Sequence, residues 1–196
     1  MTRYTPLPPG EHERIVGPRG LLLRPINASD IPNVFRWRHD PEVIQWWGDP
    51  PESEAESAEE ELETDVNPCW RFIICEDGRD VGYIQYWHQY ADTDYDWSAG
   101  IDIYIGEPDA RDRGLGPEAV RTMLDYLFEV KHLHRVTIDP DVRNARAVRA
   151  YEKSGFRIDG ILRHNEKRDD GTYADTQYLS LLEDEWPEVK QRWLNA

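Results

Sequence analysis

One segment narrows the folds open to this chain more than any other. Arg111-Asp-Arg-Gly114-Leu-Gly116 lies between residues 97–105, which alternate as a strand does, and residues 116–130, whose apolar positions recur with helical spacing. Glycines let a backbone turn sharply and approach a ligand closely. The unpaired N–H groups and the dipole at a helix start make an anion site, and Arg111 and Arg113 can add charge to a pyrophosphate. Two familiar phosphate folds are excluded. No Gly-x-x-x-x-Gly-Lys-Ser/Thr occurs, so this is not a P-loop. Gly114 and Gly116 lack a third glycine partner and follow an antiparallel meander, the wrong setting for a dinucleotide fold.

The surrounding pattern predicts a single mixed domain of α+β (mixed α/β) type, with a central, mostly antiparallel sheet flanked by helices. Residues 1–18, rich in Pro, Gly and charge, read as an N-terminal arm, leaving 19–196 as the domain. Residues 20–26 read as the first core strand, and Asn27 to Asp30 offer helix-capping side chains. Short helices follow over 30–38 and 41–47, the second with Pro41 in its first turn. Strands over 70–75 and 81–90 flank the hairpin signal Asp77-Gly78. In the strand over 97–105, Ala99, Ile101, Ile103 and Ile105 share one face, and Ser98, Gly100, Asp102 and Tyr104 share the other. Val120, Met123, Leu124, Leu127 and Phe128 form the apolar stripe of the next helix. A strand over 134–138, a helix over 144–154 stopped at Gly155, two strands around residues 168–171 and a final helix complete the chain.

Composition limits the partners. The net charge of −16 argues against nucleic acid, which needs a cationic surface, and suits a cationic substrate. The acidic run from Glu52 to Asp65 either lines a cleft for a cation or is a solvated helix face, and the spacing does not decide. No apolar run is long enough to span a bilayer and the N-terminus lacks a signal-peptide core, so the expected location is the cytoplasm. Cys69 and Cys75 fit neither a disulfide framework nor a zinc site, and read as inert thiols. His132 and His134 lack an accompanying carboxylate cluster, so no metal is expected. The final helix and terminal strands offer surfaces for a homodimer, although nothing demands one.

Asp102 is the carboxylate that stands out from the residues alone. It sits in mid-strand among isoleucines, where Asp is disfavoured. A carboxylate kept there needs an ion-pair partner, an open cleft or a chemical task. Its strand leads directly into the glycine loop, which favours the last. Asp139, at the end of a strand, follows the same logic, and Asp175 in the terminal strand pair is a third candidate.

Arg-x-x-Gly-x-Gly at a helix start after the fourth strand resembles the acyl-CoA motif of the GCN5-related N-acetyltransferases (GNAT). The stretch Asn144-Ala-Arg-Ala-Val-Arg-Ala-Tyr151-Glu-Lys-Ser-Gly155-Phe156, together with Leu23-Arg24-Pro25 and Asp30, is similar to that family too. The resemblance implies acetyl-CoA as co-substrate. It implies that backbone N–H groups of Arg113, Gly114, Leu115 and Gly116 cradle the pyrophosphate, that the strand at Ile103 to Ile105 pairs with the pantetheine arm, that Asn144 binds from the far side, and that Tyr151 stands near the thioester sulfur.

Val43-Ile-Gln-Trp46-Trp47-Gly48, Gly100-Ile-Asp102 and Asp139-Pro140 further resemble the aminoglycoside 6′-N-acetyltransferases. That subgroup implies Asp102 as the catalytic carboxylate, Asp139 as the holder of a substrate ammonium group, and Trp46 or Trp47 as a wall of the sugar pocket. The implied acceptor is a cationic small-molecule amine, an aminoglycoside, and the implied role is antibiotic resistance. A protein or peptide amine, a lysine-type siderophore precursor and a non-catalytic acyl-CoA sensor stay open as alternatives.

Overall fold

A computed structural model describes residues 14–62, 69–89, 97–168 and 170–195. Eight strands form one sheet: β1 (Ile15–Val16), β2 (Leu22–Pro25), β3 (Cys69–Glu76), β4 (Arg79–His88), β5 (Ser98–Ile105), β6 (Arg135–Ile138), β7 (Arg157–Lys167) and β8 (Tyr173–Leu182). Their order is β1-β2-β3-β4-β5-β6-β8-β7. Every pair is antiparallel except β5 with β6. Parallel neighbours need a crossover, which α4 (Leu115–Asp125) provides. This is the mixed α/β architecture the sequence predicts.

Alternation along the strands supplies two cores. Phe72, Ile74, Ile84, Tyr86 and Ile101 turn to one face, beneath Val120, Met123 and Leu124 of α4 and the Trp186 and Trp193 rings of α6 (Trp186–Leu194). Ile73, Cys75, Tyr83 and Tyr104 turn to the other, beneath Val34 and Trp37 of α1 (Ile31–Arg38) and Val43 of α2 (Pro41–Trp47). Because β3 is covered on both sides, its sequence reads as a continuous apolar run rather than an alternation.

The local signals act as expected. Asn27 and Asp30 form a reciprocal capping box, Asp40 caps α2, and Asp77 and Gly78 turn the β3–β4 hairpin with φ of 50° and 80°. Gly155, at φ 109°, follows the last turn of α5 (Ala145–Lys153). The helix expected over 116–130 continues past Asp125 as a π turn over Tyr126–Val130.

Two expectations change. The end of the arm is part of the sheet, since Ile15 and Val16 pair with Leu23 and Leu22, so the core strand at Leu22–Pro25 is the second and not the first. Residues 1–13 of the arm lie outside the described residues, as do 90–96, which hold the end of the expected strand over 81–90. The described part of the acidic run forms α3 (Glu54–Leu62), which does not border the cleft described below. Its Glu61 is buried rather than solvated and accepts a hydrogen bond from the Tyr83 hydroxyl at 2.7 Å.

Candidate active site

A fork in the sheet creates the site. The β5–β6 ladder runs only from Ser98 opposite Arg135 to Gly100 opposite Thr137. Beyond Gly100, among the described residues, the strand pairing of residues 101–105 is with β4 alone. Backbone polar groups on their other edge are therefore available to a ligand. A cleft of about 450 Å³ opens there, bordered by β5, the glycine loop, α2, residues 138–141, α5 and Glu166 of β7.

The glycine loop is built to receive an anion. Gly114 adopts φ 83°, and α4 begins at the next residue. N–H groups in the first turn of a helix have no partner within it. A Cβ added at Gly114 or Gly116 would meet nothing within 4 Å, so the backbone there borders open space of the kind a pyrophosphate fills. The arginines take different roles from the one expected. Arg111 donates to the Ile105 carbonyl at 3.1 Å and the Gly106 carbonyl at 3.0 Å, and pairs with Asp40. It borders the cleft, but its guanidinium pins the loop to the end of β5. Arg113 forms a two-pronged pair with Glu76 and does not border the cleft. Positive charge at the cleft comes instead from Arg146, Arg149 and Lys153 on α5, which the sequence reading passed over. Those charges recur on a helix whose register was legible, so they were available as a signal.

The acids gather at the fork. Asp102 borders the cleft and accepts a hydrogen bond from Gln85 Nε2 at 3.1 Å. Burial pushes its carboxyl up to about 6; the Gln85 bond opposes this, and the charges of Asp139 and Glu166 add to it. Asp139 is also raised by burial and accepts from Asn165 Nδ2 at 2.9 Å. Glu166 is raised by burial and by Asp139 and Asp141. A carboxylate with a lifted pKa in a cleft is the environment of a general base, while neighbouring acids favour a cation. Sequence reasoning missed Gln85 and Glu166. Counting from the Asp77-Gly78 turn cannot find Gln85, because its neighbour is set by the register of β4 against β5.

The remaining expected residues divide. Ile103, Ile105, Leu115, Gly116, Asn144, Tyr151, Trp46 and Trp47 all border the cleft. Asn144 caps α5, accepting from the Ala147 N–H at 3.0 Å. Tyr151 packs its ring edge-on to Phe156, and burial holds its hydroxyl well above the usual tyrosine range. Trp46 is 38% exposed, whereas Trp47 packs edge-on against Tyr83 and Tyr104. Asp175 is not brought to the site. Its Oδ1 accepts the His164 N–H at 2.8 Å and holds an irregular stretch of β7 against β8. Both thiols are raised by burial to about 12, which leaves them protonated and unreactive. Among the described residues no helix is long and apolar enough to cross a membrane, and no cluster of three His, Cys, Asp or Glu side chains is placed to hold a metal ion.

Comparison with known proteins gives a consistent family. Residues 27–163 match a family model described as an acetyltransferase (GNAT) domain. The chain is 27% identical over 156 residues to the aminoglycoside N(6′)-acetyltransferase type 1 of Klebsiella pneumoniae, covering 72% of this chain and 76% of the relative. It is 24% identical over 149 residues to spermidine N(1)-acetyltransferase of Escherichia coli (strain K12), covering 72% and 75%. The crystal structure of aminoglycoside acetyltransferase AAC(6′)-Ib in complex with coenzyme A superposes with a TM-score of 0.76 at 22% identity, over 87% of this chain and 99% of that one.

Proposed function

The chain belongs to the GNAT acetyltransferase family, and from that premise we propose that it acetylates the 6′-amine of an aminoglycoside with acetyl-CoA as donor. The observation that carries the choice of acceptor is the group of acids Asp102, Asp139 and Glu166, which border the same cleft as the exposed Trp46. Several carboxylates suit a ligand with several ammonium groups, and a flat indole suits the apolar face of a sugar ring.

The open glycine cradle and the unpaired edge of β5 fit the pyrophosphate and pantetheine of acetyl-CoA, which when bound supplies the thioester that the amine attacks. Backbone N–H groups of residues 114–116 would take the pyrophosphate. The free edge of residues 103–105 would hold the pantetheine arm, and Asn144 would close the far side.

An ammonium group cannot attack a carbonyl until it loses a proton. Asp102 orients it and accepts that proton, directly or through one water. A carboxyl raised to about 6 is still mostly ionised near neutrality, yet holds a proton better than an ordinary carboxylate. As the C–N bond forms, a backbone N–H near Ile105 stabilises the developing oxyanion. As the C–S bond breaks, the Tyr151 hydroxyl, kept protonated by its burial, donates to the departing sulfur, and the second proton that the nitrogen sheds in becoming an amide restores the hydroxyl. Holding both reactants in one cleft supplies a large share of the rate. No side chain needs to be acylated.

A linear polyamine is the second acceptor to weigh, because the same acids would hold it and a spermidine acetyltransferase is among the relatives. Thiol release from acetyl-CoA would be followed with 6′-amino aminoglycosides, their 6′-hydroxyl counterparts, spermidine, free lysine and a basic peptide. The proposal expects release with the 6′-amino drugs alone. Turnover with spermidine, lysine or peptide instead would replace the acceptor and keep the chemistry. Silence with every amine, while coenzyme still binds, would favour an acyl-CoA sensor.

A further inference from the structure

The register of the sheet lines up two rows of side chains on the face away from α4. Arg71, Gln85 and Asp102 stand opposite one another across β3, β4 and β5. Ile73, Tyr83 and Tyr104 form the adjacent row. Such rows are direct cross-strand neighbours. They form a continuous polar path from the cleft into the protein. Gln85 Nε2 donates to Asp102 Oδ2 at 3.1 Å. Gln85 Oε1 lies 2.8 Å from the Tyr83 hydroxyl and accepts the Cys69 thiol at 3.3 Å. The Tyr83 hydroxyl also lies 2.7 Å from Glu61 Oε2, and Arg71 Nε pairs with that oxygen at 3.2 Å.

We propose that Gln85 and Tyr83 are positioning residues for Asp102, with Tyr83 held in place by the buried Glu61–Arg71 pair and in turn fixing which end of the Gln85 amide faces the cleft. An amide can present either its oxygen or its NH₂ to a carboxylate, and only the NH₂ stabilises the ionised form. The Tyr83 hydroxyl shares its one proton between Glu61 Oε2 and Gln85 Oε1 in a three-centre bond, and that shared proton together with the Cys69 thiol selects the orientation with NH₂ toward Asp102. Tyr83 cannot swing away. Its ring is fully buried, stacked on Tyr104 at 5.2 Å and met edge-on by Trp47 at 5.7 Å. The acidic helix α3 thus contributes Glu61 to the support behind the site, although it does not border the cleft.

The inference rests on the reading of Asp102 as the proton acceptor, and the test separates the two. The Asp102 carboxyl would be titrated by carbon-13 NMR in the ligand-free protein, with Asp102→Asn for assignment. Wild type would be compared with Gln85→Leu, Tyr83→Phe and the double variant, each checked by thermal melting. Asp139, Glu166, Tyr151 and Cys69 face or neighbour Asp102 in every variant, so their influence cancels in the comparison. Loss of a hydrogen bond to the charged form should raise the midpoint by about one pH unit in Gln85→Leu. Tyr83→Phe should raise it in the same direction, and the double variant should go no further than Gln85→Leu. An unmoved midpoint in Tyr83→Phe, or shifts that add, would overturn the relay. The conservative Tyr83→Phe change keeps the test alive should Gln85→Leu fail to fold. The acid limb of kcat/KM should then move with the NMR midpoint. A midpoint that moves under an unmoved limb would leave the positioning intact and discard Asp102 as the base.

Discussion

Gly100 and Thr137 form the last rung of the β5–β6 ladder, and the Trp87 ring lies against Gly100, where a Cβ would come within 2.3 Å of Cζ2. The strand is thus crowded just where the sheet divides. Past this rung, the backbone of residues 101–105 carries unused hydrogen-bonding capacity on its β6 side. The glycine loop lies at the far end of the same strand. A ligand that is extended at one end and anionic at the other is matched by this arrangement, and acetyl-CoA has that form.

Gly116 provides a test of the loop that separates binding from folding. A methyl there points into open space and not into the protein. Gly116→Ala should leave stability within about 0.5 kcal/mol of wild type. The same methyl occupies the cradle, so affinity for coenzyme A should fall about tenfold, or about 1.4 kcal/mol. Titration calorimetry with coenzyme A, beside a melting curve, reads both. Undiminished affinity would remove this loop from coenzyme binding.

Gly106 behaves in the opposite way. A Cβ at Gly106 would lie 2.2 Å from Cγ of Trp37, a ring that is 1% exposed and donates Nε1 to Glu107 at 2.9 Å. The ring has nowhere to move. Gly106→Ala should destabilise the fold by about 1–3 kcal/mol through overpacking. Denaturant unfolding measures this directly, and an unchanged midpoint would mean that the contact between α1 and the end of β5 is looser than described.

Much of the framework was legible because it follows from local chemistry. The capping box at Asn27 and Asp30, the Asp77-Gly78 turn and the alternation of β5 all act within a few residues. Asp102 stood out because a carboxylate among isoleucines has few explanations. What escaped was set by registers between distant strands. Gln85 faces Asp102 only because β4 and β5 pair in one particular alignment across residues that no motif marks. Glu61 looked like one more charge in an acidic run, and only the packing of α3 turns it toward Tyr83. The place of Asp175 outside the cleft escaped for the same reason, since the irregular pairing of β7 with β8 gives it a backbone N–H to accept.

Arg111 and Arg113 look alike in the motif and differ in the structure, which makes them a paired test. Arg111 spreads its guanidinium over two backbone carbonyls and the Asp40 carboxylate. A lysine ammonium on a flexible stem cannot reproduce that planar geometry. Arg111→Lys should cost about 1–3 kcal/mol of stability and raise KM for acetyl-CoA more than it lowers kcat. Arg113 pairs with Glu76 in the open, a contact worth about 0–1 kcal/mol. Arg113→Lys should change little in either measurement. Steady-state kinetics that ranked Arg113 as the more sensitive position would restore it as a direct ligand of the coenzyme.

Asp102 is placed where activity and stability pull apart. Burial holds its carboxyl up to about 6 in the folded protein, above the ordinary carboxylate range. The folded state therefore binds this proton more tightly than the unfolded chain does. The group contributes most to stability below its unfolded pKa of about 4, and that contribution declines as pH rises through the folded value. Asn cannot ionise, and its side-chain oxygen can still accept the Gln85 bond. Asp102→Asn should therefore melt above wild type by on the order of 1–2 kcal/mol near neutrality, and the gap should close below about pH 4. Turnover should move the other way. Loss of a general base should lower kcat by about 100- to 10,000-fold and remove the acid limb near 6, with coenzyme affinity unchanged. Calorimetric melts across pH and a pH–rate profile on the same two proteins check both halves. A variant that is stabilised but fully active would show a buried acid with no catalytic task, and one that is inactive without being stabilised would place the cost of Asp102 elsewhere than in its burial.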